Sequence, residues 1–416
     1  MTAVNPAMQT PRYRVRQGLG AARIHPHKRA RMWTAVLPFS VVLIVVQSTT
    51  ASAEQWRLEP IANVSLLHDD NIDLDAIDPR SSFGTSVAFA LRGLRSVDNK
   101  SIALLAGLDQ RWYFDAADLD NTAGFVGLEG FVVTERSRLG LSTSFRVQST
   151  LTSEQTTTGV SDVNGQQYQL TLSSGWSYLL TPRASADVSV NFQEVFYKNV
   201  GDNELSDYRS GAVSLTGRYS LSERSELQAL VGYARYTTAD KTSETDAINA
   251  QLGTTYQFSE TLSFNLLVGV RVSESKEQDG TGGTMSEQGT GPTFSLNLNK
   301  ELAHGGRLSA TAARTLAPSG GAEVLDQTEL DLTVSYPVDE RWTWDLGARG
   351  YRNRSSVDEG QRSGVDYAEG SLNVSYRIWP NWTVRVGYRH RWQDDEQEPD
   401  SAQSNSVFLA LAWQGG

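Results

Sequence analysis

The chain has 416 residues, no cysteine, and 48 acidic against 37 basic side chains, for a formal charge of −11. Without cysteine there are no disulfides, thiolate metal sites or lipoprotein anchor, and the acidic balance lacks the basic footprint that nucleic-acid phosphates require. A mean hydropathy of −0.38 argues against a bundle of membrane helices, but not against a strand-built membrane protein, in which only alternate residues touch lipid.

Residues 1–31 carry Arg12, Arg14, Arg16, Arg23, Lys28, Arg29 and Arg31 and no acidic side chain, and an apolar stretch follows from Met32 to Val46. This stretch is short of the roughly 20 residues a spanning helix needs, and Ala51-Ser52-Ala53 supplies small residues for cleavage. The expectation is a signal peptide over 1–53 and a mature outer-membrane domain over 54–416. Removing the seven basic residues of the signal leaves 30 Lys and Arg against 48 Asp and Glu, so the exported part carries −18. No later apolar run is long enough for a membrane helix.

Beyond the signal, period-two alternation dominates. Phe83, Thr85, Val87, Phe89 and Leu91 interleave with small or polar residues, and Leu262, Phe264, Leu266, Val268, Val270 and Val272 do the same. Strands are predicted near 55–66, 82–95, 101–113, 122–134, 138–150, 166–180, 184–198, 208–221, 226–237, 246–258, 262–274, 289–301, 307–316, 327–338, 342–353, 365–378, 382–392 and 403–413. That is eighteen. Tight connections, such as Glu135-Arg136-Ser137, Thr181-Pro182-Arg183 and Trp379-Pro380-Asn381, alternate with longer ones. An even strand count, short turns at one end and longer loops at the other describe a single transmembrane antiparallel up-and-down β-barrel of the Gram-negative outer membrane, an all-β fold.

Aromatic placement fits two interfacial girdles. Trp56, Trp176, Trp342, Trp344, Trp382 and Trp413 fall near the short-turn ends, and Trp112, Phe196, Tyr236 and Trp392 near the others. The last strand, Val407 to Trp413, resembles the aromatic-terminated signal read by the barrel assembly machinery, although Gly415 and Gly416 follow it.

If apolar positions face lipid, the inward set contains Asp109, Arg111, Arg146, Arg218 and Arg271, among Asn, Gln and Ser. Towards the C-terminus it becomes more charged: Glu329 and Asp331, Asp345 and Arg349, Glu369, then Arg385, Arg389 and Arg391 on successive strands. These are the candidate pore-lining residues. They either select permeants by charge or satisfy one another as a cross-strand ladder. A barrel of this width holds water in its lumen. No outer loop exceeds about fifteen residues, which suggests a relatively open channel, with Leu151 to Gly165 the best candidate for folding inwards.

The first outer loop, His68-Asp69-Asp70-Asn71-Ile72-Asp73-Leu74-Asp75, resembles the start of a calcium loop but lacks its central Gly and distal Glu, so a solvated acidic loop is the simpler reading. Asp394, Asp395, Glu396, Glu398 and Asp400 read the same way. The mature histidines are His68, His304 and His390, expected in a loop, a turn and a rim without a Ser or Asp partner. No catalytic, metal or cofactor motif stands out, and an enzyme is not expected.

Trp56-Arg57-Leu58-Glu59-Pro60 in the opening strand, followed by Asp69-Asp70-Asn71, resembles the β-barrel porin family found in exopolysaccharide gene clusters. That resemblance implies an eighteen-stranded channel for exopolysaccharide export, working with a periplasmic polysaccharide export protein. The residues alone reach a water-filled barrel with polar walls, for which a passive or solute-selective diffusion porin is the alternative.

Overall fold

The computed structural model describes residues 56–154, 165–200, 205–278, 283–355, 364–396 and 399–415. The expected signal peptide, most of the 151–165 segment and Glu398 lie outside the described residues. Eighteen strands follow one another: β1 Arg57–Asp69, β2 Ser82–Val97, β3 Lys100–Tyr113, β4 Asn121–Val133, β5 Ser137–Ser149, β6 Gln166–Thr181, β7 Ala184–Lys198, β8 Tyr208–Ser220 and β9 Ser225–Thr238. They continue as β10 Ser243–Ser259, β11 Leu262–Gln278, β12 Thr284–Glu301, β13 Arg307–Pro318, β14 Val324–Pro337, β15 Trp342–Ser355, β16 Gly364–Trp379, β17 Trp382–Asp395 and β18 Ala402–Gln414. One short helix, α1 Thr150–Ser153, follows β5.

Each strand pairs antiparallel with its neighbours in sequence, and β18 pairs with β1, so the sheet closes on itself. The alternation dictates which face is which. Phe89, Leu108, Leu252 and Val270 share the outward phase and are 57, 67, 68 and 59% exposed. A closed sheet whose outer face is apolar satisfies its backbone internally and offers lipid a compatible surface. Trp56, Trp176, Trp342, Trp344, Trp379 and Trp382 are exposed near the short-turn end, and Trp112, Phe114 and Tyr388 near the other. Tyr236 corrects the sequence reading: it is buried in the lumen, because its phase is that of Gly232 and Asn249, and it belongs to no girdle.

The short turns are as tight as expected. Asp98-Asn99 joins β2 to β3 with Asp98 at φ 48°, the left-handed conformation that a two-residue hairpin uses. At the opposite end several strands outrun their predicted limits; β10 begins at Ser243 and β11 runs to Gln278. The β9–β10 connection is therefore only 239–242, shorter than the sequence suggested. Here both faces are polar, so the ladder continues after apolar alternation has ended.

The loops at this end do not project away from the barrel. Ile72 of the β1–β2 loop packs with Tyr113, Ala116 and Leu119, and Leu151 of α1 covers them. Leu74 of the same loop packs on Tyr351, Tyr367 and Ala402 of β15, β16 and β18. On the other side of the lumen, Val195, Tyr197, Tyr208 and Tyr236 meet Val324 at the tip of the β13–β14 hairpin. Leu74 and Leu119 are each 1% exposed. The open channel expected from loop length is thus replaced by a mouth narrowed from several sides, because short loops suffice when they turn inwards.

Candidate channel constriction

All thirteen candidate pore residues fall on the lumen side of the closed sheet. Register makes this visible: Arg391 lies opposite Glu369, Glu369 opposite Arg349, and Arg349 opposite Asp331. The same row continues through Thr311, Asn297, Asn265 and Thr255. Because strands in a barrel tilt, this row of direct neighbours winds around the wall rather than forming a level ring. It is a polar helical track across eight strands.

Many of the wall charges are used up by one another. Arg218 meets Asp187 at 2.6 Å and Glu226 at 3.7 Å, Arg271 meets Asp326 at 2.6 Å, and Arg349 meets Asp331 at 3.6 Å. Asp345 accepts a hydrogen bond from Ser335 Oγ at 2.7 Å, and Glu369 one from Tyr367 Oη at 2.8 Å. Glu329 sits between Ala313 and Tyr351 in the register. Asp109 and Arg146 line one cavity in the wall near Phe125.

The three arginines of β17 part company. Arg391 is buried and donates from Nη2 to Asp69 Oδ2 at 3.0 Å, Asn71 O at 2.9 Å and Ser404 Oγ at 2.9 Å. Ser404 Oγ and the Asn71 N–H also donate to Asp69 Oδ1, at 2.7 and 3.0 Å. Arg391 therefore bolts the first loop to the wall instead of presenting a free charge. Arg385 and Arg389 donate to hydroxyls, Ser375 Oγ at 3.2 Å and Ser406 Oγ at 3.3 Å. Among the described residues neither has a carboxylate within ion-pair distance, and the same holds for Arg111 and Arg146.

Arg111, Arg389 and Arg391 converge with Glu369, Tyr113, Asn121 and Thr152 on a small cavity at the narrowed mouth. Arg111 Nε is buried there without a hydrogen-bond partner. Glu154 at the end of α1 is 2% exposed and accepts from Gln167 Nε2 at 2.7 Å and Tyr197 Oη at 2.8 Å. The 150–154 stretch thus folds inwards, as its composition allowed. Asp69, Asn71, Glu154 and Ser404 were not among the candidate pore-lining residues; Ser404 meets Asp69 across 335 positions and Tyr197 meets Glu154 across 43, so no local spacing marks these contacts.

The first loop is not the solvated acidic loop expected. Asn71 Nδ2 bonds Asp75 O and Gln403 O at 2.8 and 2.9 Å, while Arg80 bridges Asp73 and Asp118 at 2.6 Å each. A guanidinium thus stands between carboxylates where a calcium reading would put the cation. Asp118 holds its proton less tightly than an ordinary carboxyl because Arg80 bonds it, and Asp75 does so because the Asp78 and Ile77 N–H groups bond it.

His68 closes β1 rather than opening a loop, and its ring lies 4.4 Å from that of Phe83. Its Nε2 stands 3.4 Å from Ser81 Oγ, beyond the roughly 2.6–3.2 Å at which a base activates a nucleophile. His390 Nδ1 pairs with Asn405 Oδ1 at 3.0 Å and His304 Nδ1 with Tyr336 Oη at 3.1 Å.

No protein-family profile and no curated protein matches the chain. Among solved structures it is similar to the outer membrane protein OpdK of Pseudomonas aeruginosa, with 10% identity over 86% of this chain and 99% of that one and a TM-score of 0.43. OccAB3 of Acinetobacter baumannii gives 12% identity, 87 and 100% coverage and 0.41. The unliganded ferric citrate transporter FecA gives 11%, 86 and 78%, and 0.47. The closed sheet, its apolar outer face and its polar lumen make this chain an eighteen-stranded β-barrel of the outer membrane.

Proposed function

We propose that the protein is a solute-selective outer-membrane channel for small polar and anionic molecules, with Arg111 and Arg389 as its selecting charges. The observation that carries this reading is the narrowed mouth: inward loops leave a small cavity lined by Arg111 and Arg389, which have no carboxylate within ion-pair distance among the described residues. Fixed positive charge in a narrow aqueous passage lowers the barrier to anions and raises it to cations. The other candidate wall residues, largely paired, keep the lumen wet and the sheet in register.

Planar bilayers under a salt gradient test this reading, with a reversal potential of anionic sign expected. Proteoliposome swelling should be fast with small organic acids and monosaccharides and slow with oligosaccharides. Swelling that ignores solute size would remove the constriction from the account.

The export of exopolysaccharide, implied by the family resemblance, stays as a second reading on one observation, the winding polar track from Arg391 to Thr255. Neutral and charged hydrogen-bonding groups at cross-strand spacing suit a linear carbohydrate, provided the mouth opens. On that reading the chain works with a periplasmic polysaccharide export protein; on either it depends on outer-membrane lipid and the barrel assembly machinery. Deleting the gene discriminates: loss of surface polysaccharide with polymer retained inside favours export, and normal surface polysaccharide with impaired solute uptake favours the porin.

A further inference from the structure

The ladder between β12 and β13 is incomplete. β12 is paired with β11 along its whole length, from Lys300 to Thr284, and β13 is paired with β14 from Arg307 to Pro318. Yet β12 and β13 meet only from Glu301 opposite Arg307 to Phe294 opposite Arg314. At the last pair the Thr293 hydroxyl donates to Arg314 O at 2.8 Å, and Gln251 Nε2 donates to Thr293 Oγ1 at 3.2 Å. Above this point the pairing stops, and among the described residues no strand is paired with the second edge of β12 over 284–293.

Side-chain phase shows where the hairpin tip has gone. Leu316, Val324 and Asp326 share the phase of Leu330 and Leu332, which face lipid lower on β14. At the tip these residues are nonetheless covered by lumen-side groups. Leu316 and Val324 pack on Val195, Tyr197, Tyr208 and Tyr236, and Asp326 Oδ2 meets Arg271 Nη2 at 2.6 Å. The tip has therefore left the wall and lies against the inner face of β7 to β11. Tyr236 Oη donates to Ser319 O at 3.0 Å, and the Ser206 N–H to Gly320 O at 2.7 Å. A side chain at Gly320 would strike the Tyr197 hydroxyl, so this seat needs a glycine.

We propose that the tip of the β13–β14 hairpin is a gate, closed in this structure, whose open position is the free edge of β12. The register of the formed ladder fixes that position: the next pairs are Thr293 with Thr315, Pro292 with Leu316, Gly291 with Ala317 and Thr290 with Pro318. Both positions suit Leu316 and Val324. In the lumen Leu316 and Val324 meet tyrosines, and on the wall their phase turns them towards lipid beside Val270. Arg314 holds Asp326 through two hydrogen bonds of 3.1 and 2.8 Å on the hairpin itself, so this pair travels with it. Arg271, which reaches Asp326 over Gly291, is the charge left behind on opening.

The chain has no cysteine, so engineered pairs report cleanly. Pro292→Cys with Leu316→Cys, and Gly291→Cys with Ala317→Cys, are unpaired here and become directly opposed, within disulfide reach, in the open position. In folded protein in bilayers, oxidation should form the cross-link and raise single-channel conductance several-fold, and reduction should restore it. No cross-link from either pair, or a cross-link without a change in conductance, overturns the proposal. Should the pairs fail to fold, Asp326→Asn is the second measurement. Weakening the hold of Arg271 should raise open probability and expose 319–323 to protease, and unchanged gating and protection would equally overturn it. These readouts need no knowledge of the solute, so they stand apart from the test of selectivity.

Discussion

Replacing Arg391 by Ala should destabilise the barrel by about 3 kcal/mol, the lower end of the range for breaking a buried ion pair. Arg391 and Asp69 are 5 and 4% exposed, so the loss leaves a carboxylate that water reaches poorly. Two of its donors survive, Ser404 Oγ at 2.7 Å and the Asn71 N–H at 3.0 Å, and these keep the cost from the top of the range. A change of this size shifts the folded-to-unfolded ratio roughly 100-fold. Urea unfolding in lipid vesicles reads it through the barrel's tryptophans. The double variant Asp69→Leu/Arg391→Met should recover most of the loss, since apolar side chains of similar volume carry no desolvation penalty. If Arg391→Ala unfolds at the wild-type urea concentration while its first loop stays protected from protease, the bolt contributes nothing and the reasoning fails.

At the constriction, Arg111→Ser combined with Arg389→Ser should move the reversal potential towards cation preference, whereas Arg385→Ser, outside that cavity, should move it less; equal shifts would refute the assignment of the site. Single cysteines at Asp70 and Asp395 should react with an impermeant maleimide on intact cells, and those at Asn99, Pro182 and His304 should not; the reverse pattern would invert the barrel. Asp75 in the first loop has a carboxyl pKa depressed by backbone N–H bonds, so its contribution is present above the unfolded value and is lost as pH falls through the folded one. Protease sensitivity of the first loop should accordingly rise below about pH 4, and Asp75→Asn should weaken that pH dependence.

The barrel itself was legible because lipid on one side and water on the other impose a two-residue period over nearly every strand. Prediction stopped short where that contrast ends: Ser243 to Thr245 and Ser275 to Gln278 are polar on both faces, and there the backbone ladder is joined by polar pairs such as Thr245 Oγ1 with Ser275 Oγ and Arg235 with Glu244. The phase of the pore set was legible, since it depends only on local alternation. Its chemistry was not, because Arg391 finds its partner 322 positions away at Asp69. Acidic composition made the first loop look solvated, yet Ile72 and Leu74, set between the aspartates, carry it into the mouth. Tyr236 looked interfacial because its distance along the strand suited a girdle, although the parity of its position placed it inside. The hairpin tip could not have been foreseen at all, since Leu316 and Val324 have the phase of lipid-facing residues.

The meeting of β1 with β18 imposes an order on biogenesis. Every other pairing joins strands that a single turn or loop connects, so the sheet can grow hairpin by hairpin with little loop-closure entropy at each step. Only this seam joins the two ends of the sheet, and bringing them together across more than three hundred residues costs about 5 kcal/mol of chain entropy. The seam is also short, Ile61–Asp69 against Ser406–Gln414, while β2 holds β1 from Arg57 to Asp69. Asp69, Ser404 and Arg391 come from β1, β18 and β17, and they meet only when the cylinder has closed in correct register. A closure slipped by two residues would keep every lipid-facing side chain outside yet leave Asp69 away from its guanidinium, so this clasp gives nascent barrels a means of telling a finished cylinder from a misaligned one.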